Sequence, residues 1–375
     1  MRTIQNPKTV PSAPNIAGCQ ARTPQPHRQS EVTIGNQQLT EKNLRMPAAR
    51  RLLAYGWLVR AGRLRSEGNM QQAVDACRRA VALNPQHPES HRQLASNLHA
   101  LKRYDAVIPV LRRVLTLRPQ DPTANHLLNA IESRPTGNAP ADYVNRLFDR
   151  FAATFDQRMN GVLNYRVPAL LGKRLHPFTR QRGHFDSALD LGCGTGLAGS
   201  VLRPVSRHMT GVDLSRKMLQ KASEKGLYDA LVCDDILRFL NRCQASFDIV
   251  SAADVFIYIG DLTSVFRLVQ KRLEPNGIFA FSTERARSTP YRLRKSGRFA
   301  HSPDYIDRLA ARNRLQILSR DRIGLRMEQH RWVNGDLFLL GGPSVRVRRS
   351  RRMHRLWKRI GRLSLPGGWM RIFRR

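Results

Sequence analysis

The chain has 375 residues, 41% of them hydrophobic, and a formal net charge of +36, enough length and apolar content for two or three domains with a sizeable core. No run of ~20 apolar residues occurs, so no membrane-spanning helix is expected. The five cysteines (Cys19, Cys77, Cys193, Cys233 and Cys243) form no C-x-x-C pair, which argues against a disulfide framework or a metal site and for a reducing compartment.

Residues 1–46 are rich in Pro, Gln, Asn, Ser and Thr with few aromatics; such a segment buries too little surface to offset its ordering entropy and reads as disordered. It lacks the compact apolar core of a secretory signal, so a cytoplasmic location is expected. Between 47 and 134 an internal repeat appears. "RRAVALNP" (78–85) recurs as "RRVLTLRP" (112–119), 34 residues on. Trp57, Ala61, Leu64, Gly68, Ala73, Ala80 and Pro85 occupy helix-hairpin positions in the first unit, and Leu94, Ala95, Leu98 and Pro119 in the second. The pattern is similar to the tetratricopeptide repeat, which places small residues where helices approach closely and Pro at the end. The resemblance implies a protein partner. Two units and a third helix (123–133) make a short array, so one face is expected to pack on the next domain or on another chain.

"SRPTGNAP" (133–140) is a turn-rich linker. The next segment, 142–159, carries Tyr143, Leu147, Phe148, Phe151 and Phe155 at helical spacing, the stripe of a core-facing helix. The apolar run in "SALDLGCGTGLAG" (187–199) then ends on an acid and breaks into glycine, the signature of a buried strand turning into a helix around a ligand. Gly194, Gly196 and Gly199 satisfy the dinucleotide spacing G-x-G-x-x-G, and Asp213 lies 19 residues past Gly194. Asp190 weighs against a pyrophosphate, which needs positive potential at that turn. A carboxylate there favours a cationic cofactor such as S-adenosylmethionine, which brings an ammonium and a sulfonium.

"LDLGCGTG" resembles the first motif of the class I S-adenosylmethionine-dependent methyltransferases, and four later segments follow in that family's order. They are "MTGVDLSRKML" (209–219), "ALVCDDILRFL" (230–240), "FDIVSAADVFIYIGDL" (247–262) and "LEPNGIFAFSTE" (273–284). The resemblance implies a Rossmann-like α/β domain over 141–342 with a mostly parallel, seven-stranded sheet, closed by a hairpin over 315–328 and 331–342. It implies a cofactor site in which Asp190, Gly192, Cys193, Gly194 and Gly196 shape the methionine pocket. Asp213, with Leu214, takes the ribose hydroxyls, and Asp235 with the Ile236 backbone reads adenine. Asp234 is the alternative to Asp235, and Asp254 faces the sulfonium or the acceptor. A helix ahead of the first strand often closes over the cofactor in this family, which gives 142–159 a second reading.

No general base stands out; Tyr258 and His301 are candidates by position only. The absence of an Asn-Pro-Pro-Tyr run after the fourth strand turns attention away from adenine or amide nitrogen as acceptor, and the methyl acceptor stays open. Two alternatives stand beside the enzyme: an interaction scaffold with a non-catalytic methyltransferase fold, and an RNA methyltransferase suggested by charge alone. The charge concentrates at the end, where residues 343–375 hold 12 Lys/Arg and no Asp/Glu. Within 346–375, Met353, Leu356, Trp357, Ile360 and Leu363 form an apolar stripe on a cationic helix. That pattern suits an anionic membrane surface, and hence a peripheral location, more than nucleic acid.

Overall fold

A computed structural model describes residues 47–287 and 289–345. The expected disordered segment 1–46 and the basic stretch 346–375 lie outside the described residues.

The first layer is helical: α1 (Ala48–Ser66), α2 (Met70–Leu83), α3 (Pro88–Ala100), α4 (Tyr104–Leu117) and α5 (Pro122–Ile131). The period read from the sequence recurs in the helix starts, since α2 and α4, and likewise α3 and α5, begin 34 residues apart. Ala61, Ala73 and Ala80 are fully buried, because a methyl group is all that fits where the hairpin helices cross. Pro88 and Pro122 sit in the first turns of α3 and α5, where a missing N–H costs nothing. Asp121 caps α5 by accepting from the Ala124 N–H at 2.9 Å.

The linker then pairs with the second layer through a bridge between Asn138 and Ile259. Helix α6 (Ala141–Phe151) follows and runs into irregular helical turns as far as Val162. After α7 (Val167–Arg182) comes a single sheet. Its strands are β1 (Phe185–Leu191), β2 (Ser206–Asp213), β3 (Ala230–Cys233), β4 (Phe247–Ala252), β5 (Leu273–Arg285), β6 (Tyr291–Leu293), β7 (Phe299–His301), β8 (Gln316–Glu328) and β9 (Arg331–Gly341). The helices α8 (Arg216–Glu224), α9 (Ile236–Arg242), α10 (Thr263–Arg272) and α11 (Pro303–Arg312) complete the domain.

The first five strands are parallel to their neighbours in the order β3-β2-β1-β4-β5. β1 and β4 are almost wholly buried along their length, as continuous apolar runs covered on both faces must be. β9 then runs antiparallel along β5, with β8 beyond it, so the seven-stranded sheet expected from the sequence is present. Two further short strands extend it. The β6–β7 hairpin lies against the end of β5 through Glu284 and Arg285. Three-residue strands carry too little alternation to be read from sequence, and this pair gains its partners only in the folded chain.

That hairpin is also where the repeats dock. His126 and His99 hydrogen-bond to the carbonyls of Gly297 (2.9 Å) and Lys295 (2.7 Å). Ala130 of α5 packs with Leu293 and Phe299. The α5 end of the array thus packs on the next domain, while α1 leaves Leu52, Leu53, Tyr55 and Val59 exposed. Among the described residues no helix is long and apolar enough to cross a membrane.

Candidate active site

Strand order reverses between β1 and β4, and a crevice opens at the carboxyl ends of such strands. The turn leaving β1 holds Gly192 (φ +63°) and Gly194 (φ +55°) in the left-handed region, which glycine enters without a Cβ penalty. A Cβ on Gly192 would lie 2.5 Å from the Val255 side chain. The turn is fastened to β2, since Asp213 accepts from the Gly194 N–H (2.9 Å) through one oxygen and from the Ser215 N–H (2.8 Å) through the other. Asp190, 1% exposed, accepts from the Tyr228 hydroxyl at 2.8 Å and from the Ser251 hydroxyl at 2.5 Å. Among the described residues neither acid has a cation within ion-pair distance. Burial raises Asp190 to about 6 against the pull of Ser251 and Tyr228. Burial likewise raises Asp213 to about 6 against its backbone donors.

These groups line a cavity of about 330 Å³ together with Cys193, Leu214, Asp235 and Ile236. Its roof is the segment ahead of the first strand: Leu147, Phe148, Phe151, Phe155 and Met159 all face it. The roof is clasped at two points. Asp149 accepts from Ser215 Oγ at 2.6 Å. Asp156 accepts from the Thr195 hydroxyl and from Lys225 Nζ, the latter at 2.5 Å. The aromatic stripe therefore packs as a helix face and covers the crevice.

At the far end, the cavity meets Asp254, Tyr258, Arg298 and Arg326. Asp254 has φ +62°, uncommon for a residue other than glycine. Its Oδ2 accepts from Arg326 at 2.7 Å, while its Oδ1 is buried with no partner. Arg326, 2% exposed, also pairs with Glu284 at 2.5 Å and Glu328 at 2.9 Å, and Arg298 pairs with Glu328. Burial raises Asp254 despite Arg326. Burial also pulls Glu328 upward, but Arg298 and Arg326 overcome it and hold the carboxyl down to about 2. Tyr258 is raised by burial, with Arg298 and Arg326 opposing, so its hydroxyl stays protonated at neutral pH.

The cavity wall brings together Asp190, Gly192, Cys193, Gly194, Asp213, Leu214, Asp235, Ile236, Asp254 and Tyr258. Three expected residues lie off it. Gly196 (φ +88°) shapes the turn from behind, where Tyr228 occupies the space a side chain would need. Asp234 is committed to Arg242 (2.9 Å) and Arg238 (3.3 Å), and the neighbouring Asp235 takes the lining position. His301 is fully buried, with Nε2 on the carbonyls of Ile259 (2.9 Å) and Gly260 (3.0 Å). Burial lowers its pKa to about 4, and its role is to hold the β4–α10 connection. Arg298, Arg326, Glu284 and Tyr228 went unread. Glu284 had a usable signal, an acid closing an apolar strand as Asp190 and Asp213 do. The arginines had none, because their partners come from distant parts of the chain.

A family model described as a methyltransferase domain matches residues 138–333, and a tetratricopeptide-repeat model matches 64–131. The first spans more than half of the chain, which belongs to the methyltransferase-domain family. The architecture is a methyltransferase domain with tetratricopeptide repeats ahead of it. Among curated proteins, a ubiquinone biosynthesis O-methyltransferase of Idiomarina loihiensis is 31% identical over 99 residues, 25% of this chain and 41% of that protein. A malonyl-[acyl-carrier protein] O-methyltransferase of Methylovorus sp. is 32% identical over 156 residues, 37% of this chain and 49% of that protein. The chain spans about half the length of the curated relatives it matches. Among solved structures, the N-methyltransferase NodS of Bradyrhizobium japonicum with S-adenosyl-L-homocysteine aligns with 53% of this chain and 98% of its own. Its identity is 20% and its TM-score 0.44.

Proposed function

We propose that residues 141–342 transfer a methyl group from S-adenosylmethionine to an oxygen of the acceptor, with residues 47–134 serving a protein contact. One observation carries the cofactor assignment: Asp190, Asp213, Asp235 and Asp254 converge on a single cavity with acceptor capacity left over. Asp213 has no counter-ion. Asp235 uses only Oδ1 to cap α9, accepting from Leu237 and Arg238 N–H at 2.9 and 3.1 Å. Asp254 Oδ1 has no hydrogen-bond partner among the described residues. A fitting ligand must bring several donors and positive charge. S-adenosylmethionine brings a ribose diol, an adenine amine, an ammonium and a sulfonium, whereas a pyrophosphate would bring more acceptors and negative charge.

When bound, that cofactor supplies an electrophilic methyl group on sulfur. The chain's own work is to position and desolvate. Asp213 suits the ribose hydroxyls, Asp235 with the Ile236 N–H the adenine, and the aromatic roof excludes water. Asp254 Oδ1 suits the acceptor hydroxyl. Its raised pKa makes it a better base than an ordinary carboxylate, able to take that proton as the oxygen–methyl bond forms and the sulfur–methyl bond breaks. Tyr258 suits a donor role beside it. The oxygen acceptor is supported by the names of the curated relatives and by this lone carboxylate oxygen.

Calorimetric titration of the full chain tests the reading. S-adenosylmethionine is expected to bind at one site. Asp213→Ala is expected to weaken it by roughly 1.5–3 kcal/mol, the worth of hydrogen bonds to a charged group. Tight NADH binding with no affinity for the sulfonium compound would overturn it.

A further inference from the structure

A second cavity, of about 1330 Å³, opens on the other side of the Glu284–Arg326–Glu328 layer. Its walls come from three places: the α3–α4 turn of the repeats, the segment from Arg285 to Arg298, and the β8–β9 hairpin. Nine Lys or Arg side chains line it, against two carboxylates. Both carboxylates are already spent, Glu284 on Arg326 and Arg294, Glu328 on Arg326 and Arg298. Arg285 is matched by Asp336. That leaves Lys102, Arg287, Arg292, Lys295, Arg322 and Arg331 facing one concavity with no carboxylate in ion-pair distance among the described residues. Gathering six cations there is unfavourable by mutual repulsion, and an anion relieves it.

Arg298 lines both this cleft and the cofactor cavity. An anion seated in the cleft therefore lies one side-chain layer from Asp254 and Tyr258. We infer that the cleft holds the phosphate groups of the methyl acceptor, a phosphorylated small molecule whose other end reaches past Arg298 to the methyl-transfer site. Single-stranded nucleic acid fits less well, because it binds by stacking bases on free aromatic faces as well as by charge. The two aromatics in the cleft are taken. Trp332 packs on Gly324 and has the Arg166 guanidinium 4.4 Å from its ring, and Tyr104 has Lys295 Nζ 5.5 Å from its ring. The repeats thus contribute to acceptor binding through Lys102, whose φ of +58° turns the chain at the rim.

The inference rests on the methyltransferase reading, so both are measured on the full chain in one calorimetric series, with inorganic pyrophosphate, succinate and S-adenosylmethionine as separate titrants. Pyrophosphate is expected to bind saturably and succinate much more weakly. The double variant Arg292→Gln/Arg331→Gln, at two exposed side chains without ion pairs, is expected to weaken pyrophosphate about tenfold or more, since two charge-assisted contacts are lost. It should leave S-adenosylmethionine affinity within twofold. Absence of pyrophosphate binding, equal binding of succinate, or an undiminished pyrophosphate affinity in the double variant would each overturn the phosphate site. So would a twelve-nucleotide single-stranded RNA that binds more tightly than pyrophosphate and loses that affinity in the double variant. Failure of S-adenosylmethionine alone would instead strike the cofactor assignment and leave the anion result standing.

Discussion

The two ends of the active-site cavity solve the same problem, buried carboxylates, in opposite ways. At the glycine turn, Asp190 and Asp213 are held by hydroxyls and backbone N–H groups, with no cation. At the other end, Asp254, Glu284 and Glu328 are held by Arg326 and Arg298. Neutral donors leave the cost of burying charge only partly offset, so the first pair rises to about 6. Guanidiniums more than offset it at Glu328, which falls to about 2. A residue type thus says little about its charge state until its donors are known. One end keeps unsatisfied negative potential for a cationic ligand, while the other is a nearly self-neutralised scaffold with a single oxygen left over.

The largest effect should come from breaking the scaffold end. Arg326→Ala removes the cation shared by Asp254, Glu284 and Glu328 and leaves buried carboxylates without compensation, which costs on the order of 3–5 kcal/mol. Urea denaturation would measure it. A loss below about 1 kcal/mol, the range of an exposed pair, would show that Arg326 does not hold this end together.

The glycine-turn end should respond to pH in two opposing ways. Its two acids have folded pKa values of about 6, above the ordinary 3.8. Protonation as pH falls through 6 therefore favours the folded state, and the stability these groups contribute is lost as pH rises through 6. Ligand affinity runs the other way, since a neutral acid no longer attracts a cation. S-adenosylmethionine binding should fall several-fold between pH 7 and 5 while the melting temperature holds or rises. Asp190→Asn sharpens this. Tyr228 and Ser251 are hydroxyls that can turn to donate or accept, so the amide is satisfied, and the variant should bind weakly at pH 7 with stability unchanged or higher. A variant that melts well below the wild type would show that Asp190 is structural.

How much of this was legible follows the same division. The glycine-turn end is built from consecutive residues, so "LDLGCGTG", Asp213 and Asp235 could be read in order, and the sheet with them. Between the two adjacent acids the sequence favours Asp235 and keeps Asp234 as its alternative, and it is Asp235 that lines the cavity. Arg238 and Arg242, one and two helical turns on, draw Asp234 away. His301 is a candidate base by position only, and its Nε2 is occupied by two carbonyls of the β4–α10 connection. The arginine-held end joins residues 254, 284, 298, 326 and 328, and no local pattern links an arginine in a closing hairpin to an acid more than seventy residues earlier.

The smallest effect belongs to the roof, where the two ends share a cover. Asp156 joins it to the glycine turn through Thr195 and to α8's far end through Lys225. Both partners of the ion pair are partly exposed, with side-chain accessibilities of 31% and 37%, so the pair contributes at most about 1 kcal/mol to stability. The same latch helps to hold Phe151 and Phe155 over the cavity. Opening the roof requires breaking it, whereas unfolding the domain depends on the core beneath. Asp156→Ala should therefore speed S-adenosylmethionine dissociation a few-fold in stopped-flow displacement, at nearly unchanged melting temperature. A variant with unchanged dissociation would mean the roof is held by its apolar face alone, and that the two clasps matter only for where it sits.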